Sequence, residues 1–294
     1  MIEMRAYAKV NLFLAVHSRR PDGFHEIDTV LHGIDLADNV VVEERGTAGV
    51  EVRLVRGEGF EGALPAGDDE LCTRAARALL GEAPGLGAEI TITKRIPLGS
   101  GMGGGSADAA AVLRALDELW GLGLGVDGLT PIAARLGSDV PYFIRGGTAR
   151  ARGRGEVVEP LDAPKLWFVI GTSRDGLSTS AVYNEWSGPA SAARTETTRP
   201  EADDLVAGLT VGDAEAIAAA LRNDLEDPSF TLRPELRTRK DALAETGLLA
   251  ALMSGSGPTI FGLCRSEAEA RECTGRAAAS FDRVLVASTA PPLD

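Results

Sequence analysis

The sequence predicts an α+β fold in two lobes. Strand-like segments followed by helix-like segments run through the chain twice, and the pattern resets past Gly146-Gly147. At 294 residues the chain also exceeds the ~100–200 residues usual for one domain. We therefore expect a first domain over residues 1–155 and a second over 156–294.

In the first lobe, alternation of apolar and polar residues marks strands at Arg5–Val16, Glu26–Ile34, Asn39–Glu44 and Val50–Leu54. Asp69 then opens a helix whose Leu71, Ala75, Leu79 and Leu80 share one face, ended near Gly81. Ala88–Lys94 alternates again and reads as a strand. Beyond a glycine-rich stretch, Val112, Leu113, Leu116, Leu119 and Trp120 recur at helical spacing. A further helix over Leu129–Leu136 leads into Gly137-Ser-Asp-Val-Pro-Tyr-Phe143, where Pro141 is expected to hold Val140 extended. In the second lobe, strands at Leu166–Ile170, Ile260–Leu263 and Val284–Ala287 accompany helices at Ala214–Leu221, Pro234–Glu245 and Glu267–Ser280. Ser187–Pro200 lacks periodicity and reads as a loop or linker.

Composition narrows the function. Against 30 Lys plus Arg stand 43 Asp plus Glu, a formal net charge of −13. So acidic a chain has no footprint for duplex DNA or an anionic membrane, so a small-molecule partner is expected. Three cysteines without a Cys-x-x-Cys indicate neither a disulfide framework nor a zinc site. With only three histidines, all near the N-terminus, a histidine metal cluster is not expected either. The N-terminal stretch carries no cleavage signature and no apolar span near ~20 residues, so a cytoplasmic location is expected.

The chemistry concentrates in Pro97, Leu98, Gly99, Ser100, Gly101, Met102, Gly103, Gly104, Gly105, Ser106 and Ala107. Five glycines between a strand and a helix let successive backbone N–H groups curl around an anion. The helix that follows turns its positive end to the same place, with Ser106 as an expected cap and a hydroxyl for phosphate or its metal. A tight strand-to-helix turn needs one or two glycines, not five. No Lys-Ser/Thr follows, so this is not a Walker loop. Gly99-x-Gly101-x-x-Gly104 formally fits a dinucleotide fingerprint, but the acidic strand end expected ~20 residues on is replaced by Gly121-Leu-Gly-Leu-Gly125.

Two charged residues stand out. Only four of the 30 basic residues are lysines, and Lys9 lies inside an apolar strand. It is either a strand-edge lysine that snorkels or a compact ammonium needed where it is. Asp139, before Val140-Pro141, either caps a turn or faces a cleft.

Five segments carry a family resemblance. Pro97–Ala107 is similar to the phosphate loop of the GHMP kinase superfamily, which includes galactokinase, homoserine kinase and mevalonate kinase. With Ala8-Lys-Val-Asn-Leu12, Gly23-Phe-His-Glu26, Leu136-Gly-Ser-Asp-Val-Pro141 and Met253-Ser-Gly-Ser-Gly-Pro258, in family order, the chain resembles the branch acting on 4-diphosphocytidyl-2-C-methyl-D-erythritol. The resemblance implies a two-lobe GHMP kinase fold, with an S5-like N-terminal domain and a ferredoxin-like C-terminal domain. It implies ATP-dependent phosphorylation of the acceptor's 2-hydroxyl, a step of isoprenoid precursor biosynthesis by the methylerythritol phosphate pathway.

By the same resemblance Lys9 and Asp139 are the catalytic pair, and residues 97–107 bind the ATP phosphates. Asn11, Phe24, His25, Thr179 and Tyr183 match acceptor-binding positions; Phe24 and Tyr183 would stack on a cytosine and His25 would bond its edge. Without the family, Phe24 reads as a core aromatic and Tyr183 as a helix-face anchor. Mg²⁺ is expected beside ATP, with Ser106 the leading protein ligand. Phe24 stands where relatives frequently carry Tyr, and Glu70 where they often carry Asn near the adenine. Asn223-Asp-Leu-Glu226 matches a family segment that is either a charged helix end or part of the cleft. The rival readings are a GHMP kinase with another alcohol acceptor, a non-catalytic nucleotide-binding relative, and a dehydrogenase. The chain is expected to be a monomer or weak homodimer.

Overall fold

A computed structural model describes residues 1–60, 64, 70–188 and 200–293. Two long antiparallel strands, β1 (Ile2–Arg19) and β2 (His25–Glu44), form its spine. Along β2, the far half pairs with β4 (Gly87–Lys94), which runs parallel to β3 (Gly49–Arg56). The near half of β2 pairs with β5 (Thr148–Gly153), and β5 with β6 (Val157–Leu161). The seven-stranded sheet is completed by the two-residue β8 (Arg222–Asn223), parallel to β1.

β2 is one strand where the sequence predicts two. The interval 35–38 between the two expected strands carries Asp35 and Asp38, a residue type that favours turns. Here their carboxylates are bonded from outside the strand instead. Asp35 accepts from the Ser288 N–H and hydroxyl, both at 2.9 Å, and Asp38 accepts from the Ile96 N–H at 2.8 Å.

Four helices pack with this sheet: α1 (Glu70–Leu80), α2 (Gly104–Trp120), α3 (Gly125–Leu136) and α4 (Val140–Arg145). Asp69, expected to open α1, lies outside the described residues. The α2 face is mostly alanine, Ala107 and Ala109–Ala111 with Val112 and Leu113, so the helix axis can lie close to the sheet. Val140 is not extended as Pro141 led us to expect. It begins α4, with Pro141 in the first turn, where the missing N–H has no intrahelical partner to lose.

The second sheet is antiparallel in the order β11 (Arg283–Ser288), β7 (Trp167–Thr172), β10 (Ile260–Cys264), β9 (Ala250–Met253). Around it lie α5 (Thr179–Trp186), α6 (Ala202–Val211), α7 (Ala214–Ala219), α8 (Glu226–Leu232), α9 (Glu235–Ala244) and α10 (Glu267–Ala277). The expected loop after Ser187 falls largely on residues 189–199, outside the described residues. The strand pairing bears on the expected 155/156 division, which cuts the β5–β6 hairpin: the first sheet continues to Leu161.

The lobes share apolar contacts. Val10, Leu12, Phe13 and Val30 from the first cluster with Phe168, Leu205 and Phe261 from the second. The middle of β1 is thus covered on both faces, and Ala8–Val16 is buried without alternation.

His32 contributes a polar tie across the fold. Its ring bonds Thr148 of β5 at 2.8 Å and Thr289, just past β11, at 2.9 Å. Burial depresses its pKa to about 4 from the ordinary 6.5. The unfolded chain therefore binds a proton between pH 6.5 and 4 that the folded chain refuses, so this stability is complete above pH 6.5 and falls as pH drops toward 4. Over that window the loss is roughly 3 kcal/mol. Thermal unfolding of wild type and His32→Gln across pH 7.5–4 should give the shallower pH slope for the variant; equal slopes would refute the assignment.

Candidate active site

A cleft of about 730 Å³ opens between the lobes, and most of the residues singled out in the sequence line it. From β1 come Lys9 and Asn11, from the β1–β2 turn Phe24, and from the start of β2 His25. The glycine loop contributes Pro97, Leu98, Gly99, Ser100, Gly101 and Gly103–Ser106, the α4 N-terminus Asp139, and α5 Thr179 and Tyr183. Met102 and Ala107 do not reach it. Met102 is buried in the interlobe cluster, its carbonyl accepting the Lys9 N–H at 3.0 Å, and Ala107 belongs to the core beneath α2.

The loop is built on glycine for steric reasons. Gly99, Gly101 and Gly103 have φ of +61°, +78° and +73°, in the left-handed region that costs other residues energy. A Cβ on Gly101 would lie 2.4 Å from the Ser254 carbonyl oxygen, and one on Gly103 would lie 2.6 Å from the Phe143 ring. Ser106 does not cap α2: Gly103 occupies the cap position, and Ser106 is the third residue of the helix. The first turn, Gly104–Ser106, lines the cleft together with Gly103, the setting in which helix N-termini bind phosphate.

Lys9 is the hub. Its Nζ donates to Asn11 Oδ1 at 2.6 Å and to the Gly101 carbonyl at 2.9 Å, and lies 3.9 Å from Asp139 Oδ2. Burial pulls its pKa below the ordinary lysine value, and Asp139 pulls the other way. The Lys9 side chain is 5% exposed and that of Asp139 39%, so a buried cation meets a carboxylate open to the cleft. Asn11 is fixed in turn by Nδ2 donating to Thr29 Oγ1 at 2.9 Å.

The far end of the cleft is aromatic. Tyr183, expected to stack on a cytosine, here stacks on His25, expected to bond the base edge, with ring centroids 5.3 Å apart at 24°. Phe24 is half exposed and carries the Arg154 guanidinium 4.8 Å above its ring. His25 Nε2 bonds Ser187 Oγ at 2.8 Å, and burial, then Arg19, lowers its pKa, so the imidazole is neutral at pH 7. Burial, then Asp139, raises that of the Tyr183 phenol, which stays protonated. Thr179 opens α5 and bonds Ser256 at 2.9 Å, tying the helix to the 253–258 turn.

Arg154 and the Lys94 cluster escaped the sequence reading, and the 253–258 turn entered it only as a family motif, without its contacts. Ser254 bonds Gly101 O at 3.1 Å and the Asn11 N–H at 3.3 Å, closing the second lobe onto the loop. Arg154 faces the cleft from the β5–β6 turn. Beneath the loop, Lys94 bonds both Asp38 and Asp108, all three buried. Only the scarcity of lysine hinted at this cluster; its partners are 56 and 14 residues away in sequence.

Among the described residues no group of three His, Cys, Asp or Glu could hold a metal ion. Ser106 instead offers a single hydroxyl oxygen in the cleft beside the glycine loop, which fits a Mg²⁺ carried in largely by its nucleotide.

Comparison with known proteins gives a consistent pattern. The family model for the GHMP kinases N terminal domain matches residues 70–147, and that for GHMP kinases C terminal matches 205–283. A 4-diphosphocytidyl-2-C-methyl-D-erythritol kinase of Pelotomaculum thermopropionicum is 41% identical over 295 aligned positions, covering 99% of each chain. A crystal structure of 4-(cytidine 5'-diphospho)-2C-methyl-D-erythritol kinase superposes with a TM-score of 0.80 at 35% identity, over 99% of this chain and 100% of that one. Homoserine kinase from Cytophaga hutchinsonii follows with a TM-score of 0.75 at 25% identity, over 99% and 95%. With a glycine cradle and a Lys–Asp pair in one interlobe cleft, and relatives alike over their full length, this chain belongs to the GHMP kinases and, among them, to the 4-diphosphocytidyl-2-C-methyl-D-erythritol kinase family.

Proposed function

We propose that the chain transfers the γ-phosphoryl group of ATP to the 2-hydroxyl of 4-diphosphocytidyl-2-C-methyl-D-erythritol, as a cytoplasmic enzyme of isoprenoid precursor biosynthesis. The observation that carries this reading is the 3.9 Å approach of Lys9 and Asp139 beside the glycine loop, in the same cleft as the His25–Tyr183 stack. One end of the cleft suits a polyphosphate and the other a flat heterocycle, with a base and a cation between them.

In this mechanism residues 97–106 and the α2 N-terminus hold the ATP phosphates. Asp139 accepts the proton of the acceptor hydroxyl as its oxygen bonds to Pγ and the bond from Pγ to the ADP oxygen breaks. Lys9 orients Asp139 and offsets charge on the transferring group, in a reaction governed mainly by positioning and electrostatics. Ser106 is the protein oxygen that would contact Mg²⁺; the ion, when bound, neutralises charge on the β- and γ-phosphates. Asn11 and Thr179 hold the acceptor's sugar and phosphate portion. The planar groups of Phe24, His25 and Tyr183 take the cytosine, each stacking contact being worth ~1–3 kcal/mol.

A coupled ADP-release assay decides among acceptors. Turnover is expected with the cytidine compound and not with homoserine or mevalonate; the reverse pattern would reject the substrate while keeping the kinase. Tyr183→Ala should raise KM for the cytidine compound about tenfold with KM for ATP unchanged. An unchanged acceptor KM would remove Tyr183 from the binding site.

A further inference from the structure

Asn223-Asp-Leu-Glu226 runs from the end of β8 to the start of α8, and β8, a strand of only two residues, joins β1 at Phe13↔Arg222 and Leu14↔Asn223, just beyond Lys9 and Asn11. Asn223 is buried, and every polar position of its side chain is used. Nδ2 donates to the carbonyls of Met253 and Gly255, both at 2.7 Å, while Oδ1 accepts from the Leu225 N–H at 2.9 Å. Ser254 sits between those two carbonyls. Its Oγ donates to Gly101 O at 3.1 Å and accepts from the Asn11 N–H at 3.3 Å. Gly101 O and Asn11 Oδ1 are the two acceptors that hold the Lys9 ammonium. The turn has little slack: Gly255 has φ +57°, and a Cβ there would lie 3.1 Å from Asn11 Oδ1 and 3.5 Å from Lys9 Nζ.

We infer that Asn223 is a positioning residue for phosphoryl transfer: its amide fixes the 253–255 turn, which through Ser254 sets Gly101, Asn11 and hence the Lys9 ammonium. The inference rests on the catalytic role proposed for Lys9 and Asp139. A residue serving only the fold would lower stability and leave the turnover of the folded fraction intact. A residue that aims the cation lowers kcat by more than it raises either KM, because neither substrate touches it and the disturbance reaches Asn11 and Gly101 only through the turn.

The test is steady-state kinetics on the full chain with Asn223→Asp, Ser254→Ala, the double variant and Asp139→Ala. The aspartate keeps the size of the side chain but removes both donors from the two carbonyls. Since a small misplacement of a reacting group costs up to ~10²-fold, Asn223→Asp is expected to lower kcat about ten- to thirtyfold, with both KM values within about threefold of wild type. Ser254→Ala should fall in the same direction. The double variant should be no more than about threefold worse than the weaker single, because both changes interrupt one line of contacts. A wild-type kcat in Asn223→Asp, or losses that multiply in the double variant, would overturn the inference. Should Asn223→Asp fail to fold, Ser254→Ala decides alone: wild-type kcat overturns, reduced kcat with steady KM supports. Asp139→Ala separates the two levels. If it retains full rate the catalytic reading has failed; if it is inactive while the other variants run normally, only the role of Asn223 has.

Discussion

Asp139→Ala should lose on the order of 10²–10⁴ in turnover, the range that follows removal of a positioned general base. The carboxylate stands at the N-cap position of α4 yet makes no capping hydrogen bond, and its side chain is 39% exposed into the cleft. Nothing in the helix depends on it, and Lys9 keeps its two hydrogen-bond acceptors, so the unfolding temperature should fall by only a few degrees. KM for ATP should move little, because the glycine loop and the α2 N-terminus do not involve this side chain. What is lost is the proposed acceptor of the hydroxyl proton and the carboxylate 3.9 Å from a buried ammonium. Some rate survives, because phosphoryl transfer draws largely on positioning and charge stabilisation that the rest of the site still supplies. Asp139→Asn sharpens the test: it keeps size and polarity but cannot take the proton. If asparagine fails as badly as alanine, the group acts as a proton acceptor; if asparagine keeps most of the rate, the side chain only positions. Full activity in the alanine variant would take Asp139 out of the mechanism.

The strands and helices read most directly from the sequence are those whose burial is one-sided, although β1, β7 and β10, buried through most of their length, are read as well. α2, α3, α9 and α10 follow from helical periodicity, and β3 and β4 from alternation, within a few residues. The elements that were missed take their stability from partners remote in the chain. β8 exists because β1 offers it an edge, and α8 because Glu226 and Ser229 bond the 253–256 turn. The join in β2 depends on partners for Asp35 and Asp38 from other elements. The site divides in the same way. The glycine loop is legible because no ordinary turn needs so much left-handed backbone, whereas Lys9 and Asp139 read as ambiguous singles until motif order linked them. The pairing of Tyr183 with His25 is set by how α5 meets the start of β2, which no local pattern encodes.

Lys94→Met should cost about 3–5 kcal/mol of folding stability, the penalty for stranding buried charge. Lys94 is 1% exposed and bonds Asp38 and Asp108, whose side chains are inaccessible to solvent. Burial works against the Lys94 ammonium, but the two carboxylates outweigh it and raise its pKa above the ordinary lysine value. Burial pushes the Asp108 carboxyl well above the usual carboxylate range, against the pull of Lys94, and Asp38 pushes it the same way. Two acids thus share one cation, and Asp108 Oδ1 has no hydrogen-bond partner. Methionine fills the lysine's volume but leaves both acids without a counter-ion, and protonating one relieves only part of the cost. The unfolding temperature should drop on the order of 10 °C. Adding Asp108→Asn removes one stranded carboxylate and should recover part of the loss, a favourable coupling that independent sites do not show. The position of the cluster links this stability to catalysis. Asp38 also receives the Ile96 N–H where the chain enters the glycine loop, and Asp108 lies one turn into the helix that leaves it. Lys94→Met should therefore also raise KM for ATP at temperatures where the protein is still folded. An unfolding temperature within 2 °C of wild type would show that the ion cluster does not anchor the loop.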